Sequence, residues 1–400
     1  MLCSFSYLCD MKKRVVVGIS GGVDSGVAAW LLKQQGYEVV GLFMRNWTDT
    51  TGLKSGQCSY EDDVLFAGMV AKKIGIPFHE VDLSEEYRQR VVDYLFREYA
   101  AGRTPNPDVL CNREIKFDAF VREALKIGTD FVATGHYCRK ETIEGSSGLV
   151  YRLLSGIDHN KDQSYFLCQL NQEQLSRALF PLGNLTKPEV REIARREQLA
   201  NADRKDSQGI CFVGKVDLPA FLQQQLKSKK GAVIEVPKKG YKGTGTGGDK
   251  VVELAKGYHF SPEMGEKIGE HQGAHYYTVG QRKGLDIGGK PESLFVLATD
   301  VKMNIIYVGQ GHDHPLLSRR ALFIRDPDIH WIRQDLELPV DQERRQQVRI
   351  RYRQPLVDAT LIRRDEGLFI LFDQPQRAVA PGQFAAWYDG EELIGSGVID

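Results

Sequence analysis

The stretch Val15-Val16-Val17-Gly18-Ile19-Ser20-Gly21-Gly22-Val23-Asp24-Ser25 decides the fold. Its apolar half reads as a buried strand over Arg14–Ile19. Val27–Gln35 behind it has helical apolar spacing, with Gly36 as its stop. A glycine-rich turn between strand and helix can cradle phosphate. Glycines at 18, 21 and 22 let backbone amides approach an anion closely, and the helix N-terminus adds a favourable dipole. Ser20 and Ser25 can donate hydroxyls to phosphate, and Asp24 can hold Mg²⁺ on it. The loop lacks the lysine of the G-x-x-x-x-G-K-[ST] pattern. That absence fits a site that does not transfer the terminal phosphoryl group but holds a departing pyrophosphate while AMP moves to a substrate.

The same strand-then-helix pattern continues outward. Glu38–Met44 and Phe78–Asp82 read as strands, Tyr60–Ile74 as a helix ending at Gly75, and Ser84 as the cap of a helix running to about Ala100. Ile115–Ile127 reads as a helix stopped by Gly128, Phe131–Thr134 as a strand, and Thr186–Glu197 as a helix with Pro188 in its first turn. Short apolar strands alternating with helices predict an α/β domain with a parallel sheet covered on both faces. Ligands then sit at the strands' C-terminal ends, where both SGGVDS and Ala133–Tyr137 (ATGHY) lie. The pattern changes near Gly214. A Gly- and Lys-rich stretch follows, and from Ser293 onward short Val-, Ile- and Phe-rich runs alternate with turns, which predicts a small β-barrel. The expected organisation is a catalytic domain over 12–214, a small central domain over 215–290 and a C-terminal β-barrel over 291–400. Residues 1–11 are expected to be a disordered extension upstream of the first basic residues.

Composition bounds the function. With 53 basic and 53 acidic residues in 400, any nucleic-acid binding must come from local patches. No apolar run approaches the roughly 18 residues of a membrane span. The seven cysteines include no C-x-x-C pair, which argues against a zinc ribbon, an iron–sulfur site or a disulfide framework. MLCSFSYLCDMKKR places its basic residues after the apolar ones, the wrong order for a secretory signal. A cytoplasmic protein with reduced thiols is expected, acting as a monomer.

Two cysteines sit among polar, turn-forming residues. Cys111 lies in TPNPDVLCNREIKF, just before the predicted 115–127 helix, where a thiol has more thiolate character. Cys211 lies in KDSQGICFVG, and Asp108, three residues before Cys111, can serve as a general acid or base. A thiol pair suits sulfur transfer: one carries a terminal sulfur as a persulfide and the other attacks it, releasing sulfide and leaving a disulfide. Direct attack by the persulfide on an activated carbon is equally drawable. Two structural cysteines are the alternative, and the Pro, Asn, Asp, Ser and Gln around them argue against it. Cys138 and Cys168 are expected to be packing residues, and His136 either lines the nucleotide pocket or is a satisfied structural histidine.

SGGVDS resembles the signature of the PP-loop ATP pyrophosphatases, which adenylate a carbonyl oxygen and then displace AMP with a nucleophile. NPDVLCNREIKF, ATGHY, KDQSYFL, DSQGICFVG and GEHQGAHYYTVGQRKGL, in that order, resemble the tRNA-specific 2-thiouridylase family from about Lys12 to the C-terminus. The resemblance implies that ATP activates the C2 carbonyl of the wobble uridine of tRNA and that sulfur replaces the oxygen, supplied by a persulfide donor protein. It implies ATP binding by Gly18, Ile19, Ser20, Gly21, Gly22, Val23, Asp24 and Ser25, with Met44 and Gly135 near the nucleotide. Asn106, Pro107 and Asp108 would meet the target base, Cys111 would be the nucleophile partnering the persulfide, and Cys211 the persulfide carrier. Lys161, Asp162 and Gln163 would contact tRNA, as would Arg351 and Tyr352.

Basic patches agree with an RNA partner. In VRIRYRQ, strand alternation would put Arg349, Arg351 and Arg353 on one face for phosphates. Lys187 with Arg191–Arg196 on a helix, and Gly280–Gly284 (GQRKG), are further candidates. GTGTGG at 243–248 matches a dinucleotide fingerprint by letter but neither follows an apolar strand nor opens a helix, so it reads as a loop. Two other functions fit the loop alone: a synthetase using ammonia or an amine, and an RNA-binding protein with a vestigial nucleotide loop. The first lacks a glutaminase-like region, and the intact Ser20, Asp24 and Ser25 argue against the second.

Overall fold

The computed structural model describes residues 12–47, 60–146, 148–206, 217–238 and 250–400. Its first layer is a parallel five-stranded sheet. β1 (Arg14–Gly18) lies between β2 (Glu38–Arg45) and β4 (Phe131–Ala133). β3 (Phe78–Asp82) flanks β2, and the two-residue strand Ala178–Leu179 flanks β4. Alternation along β1 splits its valines between two cores. Val15 and Val17 pack with Ala29 and Leu32 of α1 (Val23–Gln34) and Ala67 and Ala71 of α2 (Tyr60–Ile74), while Val16 packs with Tyr87, Ile115 and Phe120 on the other face. All three valines are fully buried, as a sheet covered on both faces requires. The chain runs from β1 to β2 to β3 and then crosses back to β4 on the opposite side of β1. The strand order therefore reverses between β1 and β4, and in sheets of this kind ligands bind at the C-terminal ends of such a switch point.

Two predicted helices differ at their starts. In the first, Ser84 is the first helical residue, and the Asp82 carboxylate accepts from its backbone N (2.9 Å) and hydroxyl (2.5 Å). The second begins not at Ile115 but at Pro107 and runs without interruption of helical backbone to Lys126, with wide π-helical turns over Cys111–Ala119. Asn106 caps it, its side-chain oxygen accepting from Val109 N (3.3 Å), and Pro107 occupies the first turn, where a missing N–H costs nothing. The N-P-D run is a helix start as well as a stiffened approach. Cys111 therefore sits one turn inside a helix.

The hairpin Cys138–Gly145 with Gly148–Ser155 leaves the first domain and joins the C-terminal sheet, Leu153 and Leu154 pairing with Leu393 and Glu392. Leu294–Asp300 and Ile305–Gln310, which a boundary at 291 assigns to the barrel, instead pair in a four-stranded sheet with Gly231–Glu235 and Glu266–His271. The barrel strands begin at Ser318 and close around Leu322, Val348, Leu361, Ile370 and Trp387. VRIRYRQ is not one strand: pairing ends at Arg349, and Arg353 has a positive φ of 63°. Arg349 is buried, so the three arginines do not form one exposed basic face. The expected 1–11 extension and the 243–248 loop lie outside the described residues.

Candidate functional site

The loop after β1 is tied from behind. Ser25 Oγ accepts from Ser20 N (3.1 Å) and donates to Gly22 O (3.1 Å), so the two serines of the motif brace the turn between them. Gly21 has a φ of +76°, and a Cβ there would come within 2.4 Å of Asp63 O. Asn201 Nδ2 donates to Gly21 O (3.1 Å) and Gly22 O (2.8 Å), and Arg204 Nη1 also donates to Gly21 O (3.2 Å). With these carbonyls held, the first-turn N–H groups of α1, which have no intrahelical acceptor, are the polar groups left for an anion.

The other expected nucleotide residues gather here. A Cβ on Gly135, just past β4, would lie 2.9 Å from Asp24 C and Ser25 N, so the ATGHY turn packs directly on the start of α1. Met44 Cε is 3.3 Å from where a Cβ on Gly18 would sit. Tyr137 donates its hydroxyl to Asp24 Oδ1 (2.7 Å); burial and that carboxylate push the phenol well above its ordinary range. His136 is buried beside Phe117 and Phe180, its Nδ1 2.7 Å from Thr134 Oγ1. Burial, aided by Lys116, holds its pKa well below the usual value, so it is a neutral, satisfied histidine.

Sequence reasoning placed Lys187 and Arg191 on a basic helix face for RNA. The structure turns both inward. Lys187 Nζ lies 2.6 Å from Asp24 Oδ1 and 2.7 Å from Asp206 Oδ1. Lys161 and Arg191 also pair with Asp206 (2.7 and 2.9 Å), and Arg204 with Asp63 (2.7 Å). Burial raises the Asp206 pKa, but the hydrogen bonds and charges of Lys161 and Lys187 outweigh it and hold the carboxyl at about 2. Arg195 and Arg196 stay exposed and, among the described residues, form ion pairs only with Asp203 and Glu197. The missed signal was spacing: Lys187 and Arg191 are four apart, hence on one helix face, whereas Arg196, nine positions beyond Lys187, falls on the opposite one.

The thiol region is assembled separately. Asn106, Pro107 and Asp108 are half-buried at the helix start, and Cys111 is fully buried in the core that also holds Met44, Ile115 and Phe120. Asp108 precedes Cys111 by three residues and so shares its helix face. Asn112 Nδ2 donates to Phe166 O (3.0 Å), and the ring of Phe166 packs on Tyr352 with centroids 4.4 Å apart. The Asn106 side chain bonds the Tyr165 hydroxyl, which donates to Phe384 O (3.0 Å) in the barrel. Arg351 donates to Arg377 O (3.0 Å). The structure thus brings Asn106, Tyr352 and the Cys111 helix together.

Lys161, Asp162 and Gln163 join the two regions. Lys161 belongs to the cation cluster, and Gln163 Oε1 accepts from Tyr137 N (3.1 Å). Asp162 is buried and accepts from Gly156 N, Ser164 N and Oγ, and Arg349 Nη1 (3.1 Å). Cys138 and Cys168 are fully buried in the core, as expected of packing residues. Burial pushes both thiols up, Cys168 to about 12. Cys211 lies outside the described residues. At the C-terminal end of β2, both amide atoms of buried Asn46 have no partner among the described residues, a feature the sequence reading passed over.

Known proteins match this chain over nearly its whole length. Residues 13–215 match the family described as tRNA methyl transferase HUP domain, 249–310 the tRNA methyl transferase PRC-barrel domain and 322–399 the aminomethyltransferase beta-barrel domain. The chain is 58% identical over 401 residues to the tRNA-specific 2-thiouridylase MnmA of Christiangramia forsetii, covering 97% of this chain and 100% of that one. It is 56% identical to the protein of that name from Flavobacterium johnsoniae, covering 97% and 100% of the two chains. With that from Streptococcus thermophilus the identity is 44%, over 98% and 96%. Similarity of this extent, over a parallel-sheet domain, a central sheet and a C-terminal barrel, means that the chain belongs to the tRNA-specific 2-thiouridylase family.

Proposed function

We propose that this protein is a tRNA-uridine 2-sulfurtransferase that uses ATP to replace the C2 oxygen of a wobble uridine with sulfur. The observation that carries the reading is the pairing, in one domain, of a lysine-free glycine loop braced by Ser20 and Ser25 with the Cys111 helix docked on the barrel. Full-length relatives named for tRNA thiolation support it.

In this reading the uridine O2 attacks the α-phosphorus of ATP. The O–P bond forms, the bond to the bridging oxygen breaks, and pyrophosphate leaves along the loop and the N-terminus of α1. Asp24 offers one carboxylate oxygen beyond the one shared by Lys187 and Tyr137. This fits Mg²⁺, which takes most of its ligands from phosphate and water and supplies charge neutralisation when bound. A persulfide on Cys211 then delivers its terminal sulfur to C2, directly or as sulfide, and the C2–O bond breaks with AMP. Cys111 attacks Cys211 Sγ. The disulfide forms as the bond between Cys211 Sγ and the terminal sulfur breaks, so the Cys111 thiol is oxidised and the transferred sulfur leaves with the electron pair at the sulfide level. A thiol reductant and a persulfide donor protein restore the resting pair. Asp108, on the face of Cys111, moves the thiol proton. Because Cys111 is fully buried, the exchange requires movement around it.

Asn106, Pro107 and Asp108 then receive the splayed base, and Lys161, Gln163, Arg351 and Tyr352 the tRNA around it, while Asp162, buried against Arg349, positions that segment. We place the domain boundary between the central sheet and the barrel after Gln310 rather than at 291. A cytoplasmic monomer suits this chemistry, and no helix among the described residues is long and apolar enough to cross a membrane.

Cys111→Ser and Cys211→Ser test the reading directly. Each should lower 2-thiouridine formation at least about a thousandfold with a persulfide donor, as expected when a member of a catalytic unit is removed, while tRNA still binds. Normal thiolation by Cys211→Ser would rule the mechanism out. AMP release driven by ammonia without RNA would favour an amine-using synthetase instead.

A further inference from the structure

We infer that the Asn46 carboxamide holds the wobble uracil by its N3–H and O4 edge, between the nucleotide loop and Cys111. The inference rests on the sulfurtransferase reading above and adds a residue to its base site. Asn46 is 2% exposed, and neither its side-chain oxygen nor its nitrogen has a hydrogen-bond partner among the described residues. The other buried asparagines all keep amide bonds: Asn112 donates to Phe166 O, Asn201 to Gly21 O and Gly22 O, and Asn304 to Lys229 O and Lys230 O. Burying an amide with neither group paired is unfavourable, and a ligand that pairs both removes the penalty.

The place of Asn46 in the sheet identifies the ligand. Val40, Leu42 and Met44 alternate along β2 onto the face whose core includes Ile115 and Cys111, and Asn46 is the next position in that series. Met44 reaches the loop, its Cε 3.3 Å from where a Cβ on Gly18 would sit. On the other side of Asn46, Trp47 packs on Tyr87 and Phe221, with ring centroids 6.3 and 6.0 Å apart, against the core that encloses Cys111. The end of the strand is anchored, Arg45 O accepting from Leu83 N (2.8 Å). A group bound at Asn46 therefore lies on the β2 flank of the loop, across β1 from β4 and Gly135. A base that offers O2 to the α-phosphorus of ATP and C2 to sulfur must bridge the loop and the thiol, and this flank spans the two. Uracil carries N3–H and O4 side by side. A carboxamide matches them, its oxygen accepting from N3–H and its Nδ2 donating to O4, and O2 stays free to react.

The test is a cycle on full-length protein, with tRNA carrying either uridine or 3-methyluridine at the wobble position. Binding is measured with the ATP analogue whose α,β bridge is a methylene group, which stops the chemistry before adenylation. In wild type the methyl group removes the N3–H donor and should weaken tRNA binding about tenfold. In Asn46→Leu the two tRNAs should bind within about twofold of each other, because the partner of N3–H is gone. With ATP and the uridine tRNA, Asn46→Leu should slow single-turnover pyrophosphate release about 10–100-fold, as the loss of two buried hydrogen bonds predicts. The half-saturating ATP concentration should stay within about twofold. Thermal unfolding separates this from a structural role. An apolar side chain of similar volume in place of an unpaired amide should leave the Tm of the free protein unchanged or raise it by about 2 °C. Asn46→Ala carries the same binding cycle if the Leu variant does not fold. A methyl penalty equally large in wild type and variant overturns the inference. So does a tenfold rise in half-saturating ATP with the methyl penalty intact, which would put Asn46 on the adenine. Wild type that releases no pyrophosphate from ATP with the uridine tRNA overturns the sulfurtransferase reading itself, a separate outcome.

Discussion

The nucleotide loop and the Cys111 helix are both helix starts, and they are built in opposite ways. The loop's turn is formed by its own residues, with Ser20, Gly22 and Ser25 bonding one another, and the distant Gly135, Asn201 and Arg204 back it. The Cys111 helix is held by distant chain, with Asn112 on Phe166, Asn106 on Tyr165 and Tyr165 on the barrel. One site is preformed at the strand switch point, and the other is sealed in a core. The difference teaches that anion binding can be preorganised by a short segment, whereas a thiol that must be withheld from side reactions depends on what is packed around it.

The largest test of that contrast is at the joint between the regions. Asp162→Ala should destabilise the protein by about 3–5 kcal/mol, because it leaves the buried Arg349 charge unpaired. Denaturant unfolding measures it, and a loss below 1 kcal/mol would show that the joint is not electrostatic. Gly135→Ala comes next. A methyl group 2.9 Å from the Asp24 and Ser25 backbone should cost about 1–3 kcal/mol and raise KM for ATP while leaving tRNA affinity unchanged. Unaltered ATP kinetics would mean that the ATGHY turn does not shape the cradle. The smallest effect is a pH dependence. The Asp206 pKa is depressed in the folded protein to about 2, so its contribution is present above the unfolded value of 3.8 and is lost as pH falls toward 2. The shift corresponds to about 2.4 kcal/mol at most, which solvent screening at this partly exposed carboxyl reduces to about 1–2 kcal/mol. The stability gap between wild type and Asp206→Asn should therefore be open at pH 6, shrink to about a third of that by pH 2.5 and close only below about pH 2. A gap that does not change with pH would count against the ion-pair origin.

Legibility followed range. Tyr60–Ile74 and Phe78–Asp82 match their predicted spans because periodicity and glycine stops are local signals. The start of the Cys111 helix was misplaced although N-P-D was in view, because a proline pair suits a stiff loop and a helix start equally well. The basic strand failed for a different reason. Alternation assumes that the strand continues, but the chain turns after Arg349 and its guanidinium meets a buried carboxylate from another domain. The Cys138–Ser155 hairpin, which ties the catalytic domain to the barrel, carries no mark of its partner in its own sequence.

By itself the sequence determined the parallel-sheet domain, the cradle and the order of motifs, since residues close in the chain are related by backbone period alone. Only the tertiary structure decided which cation stands at Asp24, which arginine is buried and how Cys111 is enclosed. Those relations join residues up to 219 positions apart, as between Tyr165 and Phe384. They follow from the packing of one element on another, which no local pattern records.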